Sequence, residues 1–178
     1  FKALLFLGAG SVIHGMSGDQ DIRNMGGLKK KMPITYITFL IATIAISGIP
    51  PFAGFFSKDQ MLAEIFVHNK VLFGLGLLAS LMTSFYMFRL LFLTFFGEFR
   101  GNDIQKNHVH ESPKSMTIPL VILAFLSVVA GFIGFPHELG HVLGIHHWLD
   151  GFLATTIKVA AAEISLNTEL LLMVVTIV

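Results

Sequence analysis

The chain has 178 residues, of which 54% are hydrophobic and only 13% charged, and its mean hydropathy is +0.76. Such a composition is too apolar for a soluble domain of this size, so we expect lipid to be its solvent. The net charge of +1 comes from dispersed basic residues, which argues against a nucleic-acid partner, and the absence of cysteine excludes disulfides, thiolate metal sites and a cysteine nucleophile.

Five hydrophobic segments predict an all-α, polytopic bundle of transmembrane helices. They cover about 1–15, 33–67, 71–96, 117–135 and 166–178. The first and the last are shorter than the roughly 20 residues that a membrane span needs. The chain also begins without Met inside an apolar run, so we expect a piece of a longer protein, truncated at both ends.

The first segment carries two ionisable residues, Lys2 and His14, which lie about three helical turns apart. Lys2 is buried if its helix continues upstream and exposed if the helix starts there, and the sequence leaves both possibilities open. His14 lies where Gly15 and Gly18 end the apolar run. That position favours an interfacial histidine over a relay group, and we keep His14 as a candidate for proton transfer.

The second segment is too long for one straight helix. A continuous helix over 33–67 would reach about 50 Å at roughly 1.5 Å per residue, whereas a hydrocarbon core is about 30 Å thick. Prolines remove backbone donors and glycines permit unusual dihedral angles. Gly48, Pro50, Pro51 and Gly54 therefore predict a discontinuous helix broken at 48–54, a feature that often marks a transport site. The alternative is a kinked span or two helices that meet in a loop.

Lys58 and Asp59 follow the predicted break inside the apolar run. A lysine near the bilayer centre costs about 2.5 to 3.5 kcal/mol on insertion scales, so its presence there indicates a functional site. Desolvation favours the neutral amine, which allows a lysine both to bind and to release a proton. Asp59 lies about 100° away around the helix and need not pair with Lys58. A snorkelling Lys58 near the interface is the alternative.

Basic residues are concentrated in loops on one side of the predicted bundle. Because the loops alternate sides, 16–32 and 97–116 share a side, and seven basic residues there stand against two on the other side. By the positive-inside rule these loops face the cytoplasm or matrix, and 136–165 faces the opposite compartment. The seven are Arg23, Lys29, Lys30, Lys31, Arg100, Lys106 and Lys114, and the two are Lys70 and Lys158.

A zinc-protease pattern occurs in the less hydrophobic 136–165 segment. His137 and His141 would share one face of a helix, with Glu138 as general base and His147 as a third ligand. Glycines within the pattern weaken a helix, and little of the chain could build a walled cleft around it. We therefore predict an interfacial loop or amphipathic segment without a metal site, and keep a zinc-dependent membrane protease as the alternative.

Several longer motifs occur in a fixed order over residues 1–135. They are F-K-A-L-L-F-L at 1–7, D-I-R-N-M-G-G-L at 21–28, G-I-P-P-F-A-G-F-F-S-K-D at 48–59, F-R-L at 88–90 with F-F-G at 95–97, and H-E-S-P at 110–113. In this order they closely resemble the antiporter-like subunit L of NADH-quinone oxidoreductase, or respiratory complex I. The likeness thins beyond Pro136.

The resemblance implies a part of the membrane arm, which translocates protons while electrons pass from NADH to quinone in other subunits. Lys58 would be the proton carrier of a second half-channel formed by residues 1–135, and Lys2 would belong to the polar axis along the membrane centre. Residues 166–178 would begin a further transmembrane helix. The chain by itself would not be catalytic.

The same resemblance implies the cofactors, the partners and the location. NADH, FMN, iron–sulfur clusters and quinone would bind partner subunits and none would bind this chain. The expected partners are the other membrane subunits of the complex, the lipid bilayer and protons, in a bacterial or mitochondrial inner membrane. The nearest alternative is the large subunit of a multisubunit Na⁺/H⁺ antiporter, which shares the broken helix and the buried lysine.

Overall fold

The computed structural model describes residues 1–134, apart from the side chains of 103–105, 133 and 134. All regular elements in this part of the chain are helices, which confirms the all-α prediction. Three features predicted above lie outside the described residues. They are the 136–165 segment with its pattern at His137, Glu138, His141 and His147, the 166–178 segment, and Lys158.

Six α-helices account for most of the described residues, and α2 is their centre because it packs against α1, α3, α4 and α6. The helices are α1 (Lys2–Gly15), α2 (Pro33–Ser47), α3 (Ala53–His68), α4 (Lys70–Phe95), α5 (Asp103–His108) and α6 (Lys114–Val129), with 3₁₀ turns at Ile22–Asn24, Leu28–Lys30 and Ala130–Gly134.

The helix boundaries follow from local chemistry. Pro33 begins α2, where a missing N–H costs nothing and the fixed φ suits a helix. Asn69 is the single residue between α3 and α4, and its side-chain oxygen accepts hydrogen bonds from the N–H groups of Val71 at 2.9 Å and Leu72 at 3.1 Å. This capping lets the chain reverse direction within one residue.

The helices α1 and α2 approach each other closely in the larger hydrophobic core. A side chain at Gly8 would overlap the ring of Phe39, and one at Gly15 would overlap Met32. Phe39 in turn lies 5.6 Å from the ring of Phe95 on α4. These contacts fix α1 and α2 as antiparallel neighbours, with the start of α1 level with the end of α2.

Much of the apolar surface points outward. On α4 the exposed fraction is 74% for Val71 and 70% for Phe85, and on α1 it is 79% for Phe6. Among the described helices, Lys70–Phe95 and Lys114–Phe132 are long and apolar enough to cross a membrane. Apolar faces of this extent are rare on soluble monomers, so they fit a protein surrounded by lipid and by other membrane-embedded segments.

The loops 16–32 and 97–116 contact each other at one end of the bundle. The N–H of Gly27 donates to the carbonyl of Phe96 at 3.1 Å, and the Arg100 guanidinium donates to the carbonyls of Ile22 and Arg23. Within the first loop, the hydrogen bond from the Arg23 side chain lowers the pKa of Asp21 to about 2. The two basic loops therefore form one continuous polar surface.

A buried hydrogen-bond network joins three helix ends beneath this surface. Glu111 accepts from the N–H groups of Ile34 at 2.7 Å and Thr35 at 3.3 Å, and from the Thr35 hydroxyl at 2.6 Å. Ser11 on α1 lies 2.7 Å from both the Thr35 and the Ser112 hydroxyls. Glu111 thus caps α2 from a loop 76 residues further along the chain, and the network ties α1, α2 and the start of α6 together.

Replacing Glu111 by Ala removes the acceptor of three backbone N–H groups, those of Ile34, Thr35 and Ser112, and of the buried Thr35 hydroxyl. Loss of a helix cap costs about 0.5 to 2 kcal/mol, and each buried donor left unsatisfied costs about 1 to 3 kcal/mol. We expect Glu111→Ala to lower the thermal-unfolding midpoint of the full-length protein in detergent. Glu111→Gln should lower it less, because one oxygen still accepts.

The matched control is Glu98→Ala, which removes an exposed carboxylate from the same surface. Its midpoint should stay at the wild-type value. Equal midpoints for Glu111→Ala and Glu98→Ala would show that the Glu111 cap does not stabilise the fold.

Candidate functional site

The chain between α2 and α3 is interrupted inside the apolar bundle, and its backbone groups find partners locally. Gly48 ends α2 with φ of +81°, in the left-handed region that glycine adopts without strain. Its N–H donates to Ala45 at 3.2 Å, and the N–H of Ile49 donates to Ile44 at 3.3 Å. This is the Schellman arrangement, which satisfies carbonyls that a helix end leaves open. The Phe52 N–H then bonds to Ile49 at 3.2 Å.

The start of α3 packs directly on the end of α2. A methyl group on Gly54 would overlap the carbonyl oxygen of Ala45, and it would lie 3.5 Å from the ring of Phe1. The peptide bond between Pro50 and Pro51 is cis. Only glycine at position 54 permits this close approach, so the two half-helices and the start of α1 meet at one depth.

Lys58 lies about one and a half turns into α3, and its side chain reaches back to the break. Side chains on a helix lean toward its N-terminus, and the Lys58 stem accordingly lies beside Gly48, where a β-carbon would be 3.1 Å from Cδ and 3.9 Å from Nζ. The partly buried Lys58 amine donates to the Ser80 hydroxyl of α4 at 3.1 Å. The break, Lys58 and α4 therefore form one polar site in apolar surroundings.

Two more serines extend this polar site along α4 and α2. The Ser84 hydroxyl lies 3.2 Å from the carbonyl of Ser80 and 3.4 Å from the carbonyl of Ser47, the last residue of α2. A groove of about 580 Å³ runs beside them, and its lining includes Ser47, Ser84 and Arg89. The rest of its lining is apolar and comes from Ile49, Leu81, Phe85, Phe88 and Phe92.

Asp59, the residue after Lys58, is almost completely buried, with 2% of its surface exposed. It lies about 100° around the helix from Lys58. The two adjacent ionisable residues therefore face different surroundings. Further along α3, Glu64 and His68 are exposed and lie 3.2 Å apart, which makes them part of the solvated end of the helix.

The structure separates the two predicted candidates on α1. Lys2 is exposed in the described part of the chain and follows Phe1, whose ring lies near Gly54, so it sits level with the break. His14 is exposed at the opposite end of the helix, roughly 18 Å along the axis from Lys2. The ring of His14 makes an edge contact with His110, with centroids 5.7 Å apart. His14 therefore belongs to the loop surface and Lys2 to the level of the break.

Ser80 and Ser84 are not among the residues that the sequence predicts for this site. Their partners lie 22 and 37 residues away in the chain, so no local pattern connects them. The available signal was weak: both serines lie in the otherwise apolar α4 and, four residues apart, on one face. Membrane-spanning helices usually turn such hydroxyls toward neighbouring helices. On that basis the serine face of α4 would be expected to pack against the break.

The apolar exterior and the interrupted helix with its partly buried polar site are features of an α-helical membrane protein. The family model described as the transmembrane region of NADH:quinone oxidoreductase and Mrp antiporter proteins matches residues 1–83 of this chain. The resemblance noted from the sequence motifs is thereby confirmed.

Individual relatives agree with the family assignment. The chain is 51% identical to NAD(P)H-quinone oxidoreductase chain 5 of Picosynechococcus, with 76% of this chain and 24% of the relative covered. It is 47% identical to NADH-quinone oxidoreductase subunit L of Rhodobacter capsulatus (79% and 21% covered) and 41% identical to subunit L of Mycobacterium tuberculosis (93% and 28% covered). The chain spans about a quarter of the length of these relatives.

The close approach at Gly54 can be tested with two glycine-to-alanine substitutions whose expected effects on stability have opposite signs. Gly54→Ala forces its new methyl group into the Ala45 carbonyl, and overpacking of this kind costs about 1 to 3 kcal/mol or more. Gly74→Ala meets nothing within 4 Å on the exposed side of α4 and should stabilise the helix by about 0.5 to 1 kcal/mol. Thermal-unfolding midpoints of the two full-length variants measure both. A Gly54→Ala midpoint at or above wild type would contradict the described packing.

Proposed function

We propose that this chain is part of the membrane arm of NADH-quinone oxidoreductase and translocates protons, coupled to electron transfer from NADH to quinone in other subunits. The observation that carries the proposal is the amine of Lys58, held beside a helix break in an apolar bundle and hydrogen-bonded to Ser80. The family and the names of the relatives supply the electron-transfer partner.

The geometry gives Lys58 two opposed influences on its charge. Apolar surroundings favour the neutral amine, whereas the carboxyl end of α2, with its partial negative charge, lies beside the amine and favours the ammonium form. Because these influences oppose each other, a modest change in the surrounding field is enough to load or unload the proton. Lys58 is then the proton carrier, and a signal along the polar axis, to which Lys2 contributes, changes its charge state.

The other predicted residues take subsidiary parts in this proposal. Asp59 contributes a buried carboxyl next to the carrier, and His14 lies at the loop surface where protons are exchanged with water. By the distribution of basic residues, the joined loops 16–32 and 97–116 face the cytoplasm or matrix. FMN, iron–sulfur clusters, NADH and quinone are bound by partner subunits. The chain itself contacts lipid and the neighbouring membrane subunits.

The central test is substitution of Lys58 in the full-length protein within native membranes, with protons translocated per electron as the measurement. Lys58→Ala should reduce this ratio because the carrier is absent. Lys58→Arg should also reduce it, since a guanidinium stays charged and cannot cycle. Lys70→Ala, which removes an exposed lysine at the start of α4, is the matched control and should keep the wild-type ratio. A wild-type ratio of protons per electron in Lys58→Ala would disprove the proposal.

The same membranes distinguish the proposal from a multisubunit Na⁺/H⁺ antiporter. Proton translocation by the proposed complex requires NADH and quinone and stops when electron transfer is blocked. An antiporter instead moves protons in response to an imposed Na⁺ gradient without any electron transfer. Co-purification of the chain with quinone-reductase subunits is the expected companion result.

A further inference from the structure

The hydroxyl of Ser80 differs from those of Thr83 and Ser84 on the same helix α4. Thr83 donates to the carbonyl of Ala79 at 2.7 Å, and Ser84 lies 3.2 Å from the carbonyl of Ser80, so both bond to their own helix. Within residues 1–134 the Ser80 hydroxyl makes no such bond, and its partner is the Lys58 amine at 3.1 Å. The O–H proton of Ser80 is therefore not committed to the backbone of α4.

A hydroxyl suits both charge states of Lys58. An ammonium group only donates hydrogen bonds, and a serine oxygen accepts them. A neutral amine has a lone pair, to which the serine O–H donates after rotation about its C–O bond. A side chain with only one of these capacities would leave Lys58 with an unsatisfied buried group in one of its two states, which costs about 1 to 3 kcal/mol.

We propose that Ser80 relays the proton to and from Lys58, which deepens the proposed function and rests on it. In the release step the N–H bond of the ammonium breaks and its electron pair stays on Nζ, while the proton goes to the Ser80 oxygen. At the same time the original hydroxyl proton of Ser80 leaves to a water molecule. Loading runs the same steps backward, so no net charge resides on Ser80.

The surroundings of Ser80 offer a place for that water. Ser84 lies one turn further along the same face of α4 and lines the groove of about 580 Å³, together with Ser47 at the end of α2. The Ser47 carbonyl and the two hydroxyls supply the two to four polar partners that an ordered water requires. The relay therefore leads from the amine toward a groove whose polar lining comes from Ser47, Ser84 and Arg89.

The test compares three variants of the full-length protein in native membranes, with the rate of proton translocation measured between pH 6 and pH 9. Positioned proton-transfer groups contribute typically about 10²- to 10⁴-fold, and because water can partly replace a lost hydroxyl we expect Ser80→Ala to lower the translocation rate roughly tenfold. Ser80→Thr keeps a hydroxyl and should restore most of the rate. Thr83→Val removes a hydroxyl from the same helix and should leave the rate unchanged.

A structural role for Ser80 predicts different results. It would reduce the amount of assembled complex on native gels, and it would leave the pH profile of the remaining complexes at the wild-type shape. The relay predicts normal assembly and a lower translocation rate per assembled complex for Ser80→Ala, because the amine has lost its proton-transfer partner. Reduced assembly with a wild-type rate per assembled complex would overturn the relay.

The relay and the proposed function fail in distinguishable ways. If Lys58→Ala abolishes translocation and Ser80→Ala leaves both the rate and the pH profile unchanged, the relay is wrong and the carrier role of Lys58 stands. If Lys58→Ala also leaves translocation unchanged, both are wrong. A loss in Ser80→Ala that Ser80→Thr restores supports the relay.

Discussion

The close packing of the carboxyl end of α2 on the amino end of α3 determines most of what this structure can do. Inside an apolar bundle, an interrupted backbone must find partners for its polar groups without water. Here the Schellman bonds of Gly48 and Ile49 use two of the open carbonyls of α2, and the Ser84 hydroxyl approaches a third, that of Ser47. The absence of a side chain at Gly54 then allows the half-helices to meet.

This constraint explains how the Lys58 side chain is accommodated among apolar helices. An amine in hydrocarbon needs a hydrogen-bond acceptor and a field that offsets part of its desolvation. Ser80 on α4 supplies the hydrogen-bond acceptor, and the end of α2 at the break supplies the field. Lys58 thus depends on three elements at once: the turn at Gly48, the body of α3 and the facing side of α4. A change in how these elements pack would move the amine relative to its hydrogen-bond partner.

The sequence predicts the fold class well and the hydrogen bonds across the bundle poorly. Composition alone indicates an all-α membrane protein, and the glycines and prolines of 48–54 carry a local signal for an interrupted helix. The position of Lys58 close to the break follows from its short distance from Gly54 along the chain. By contrast, the pairing of Lys58 with Ser80 depends on the rotation of α4 about its axis, which tertiary packing determines. A nearly uniform apolar helix has no periodic pattern that reveals this rotation.

Glu111 shows the same limit at the other end of α2. As part of H-E-S-P it contributed to a family resemblance, yet its capping of α2 spans 76 residues and depends on how the loop 97–116 folds back over α1 and α2. The consequence is that α2 is held at both ends, by the Glu111 network near the loops and by the Gly54 contact near the break. Both contacts act on one helix of 15 residues, about 22 Å long. The Lys58 amine lies beside one end of this helix and the Glu111 network holds the other, so α2 connects the break with the loop surface.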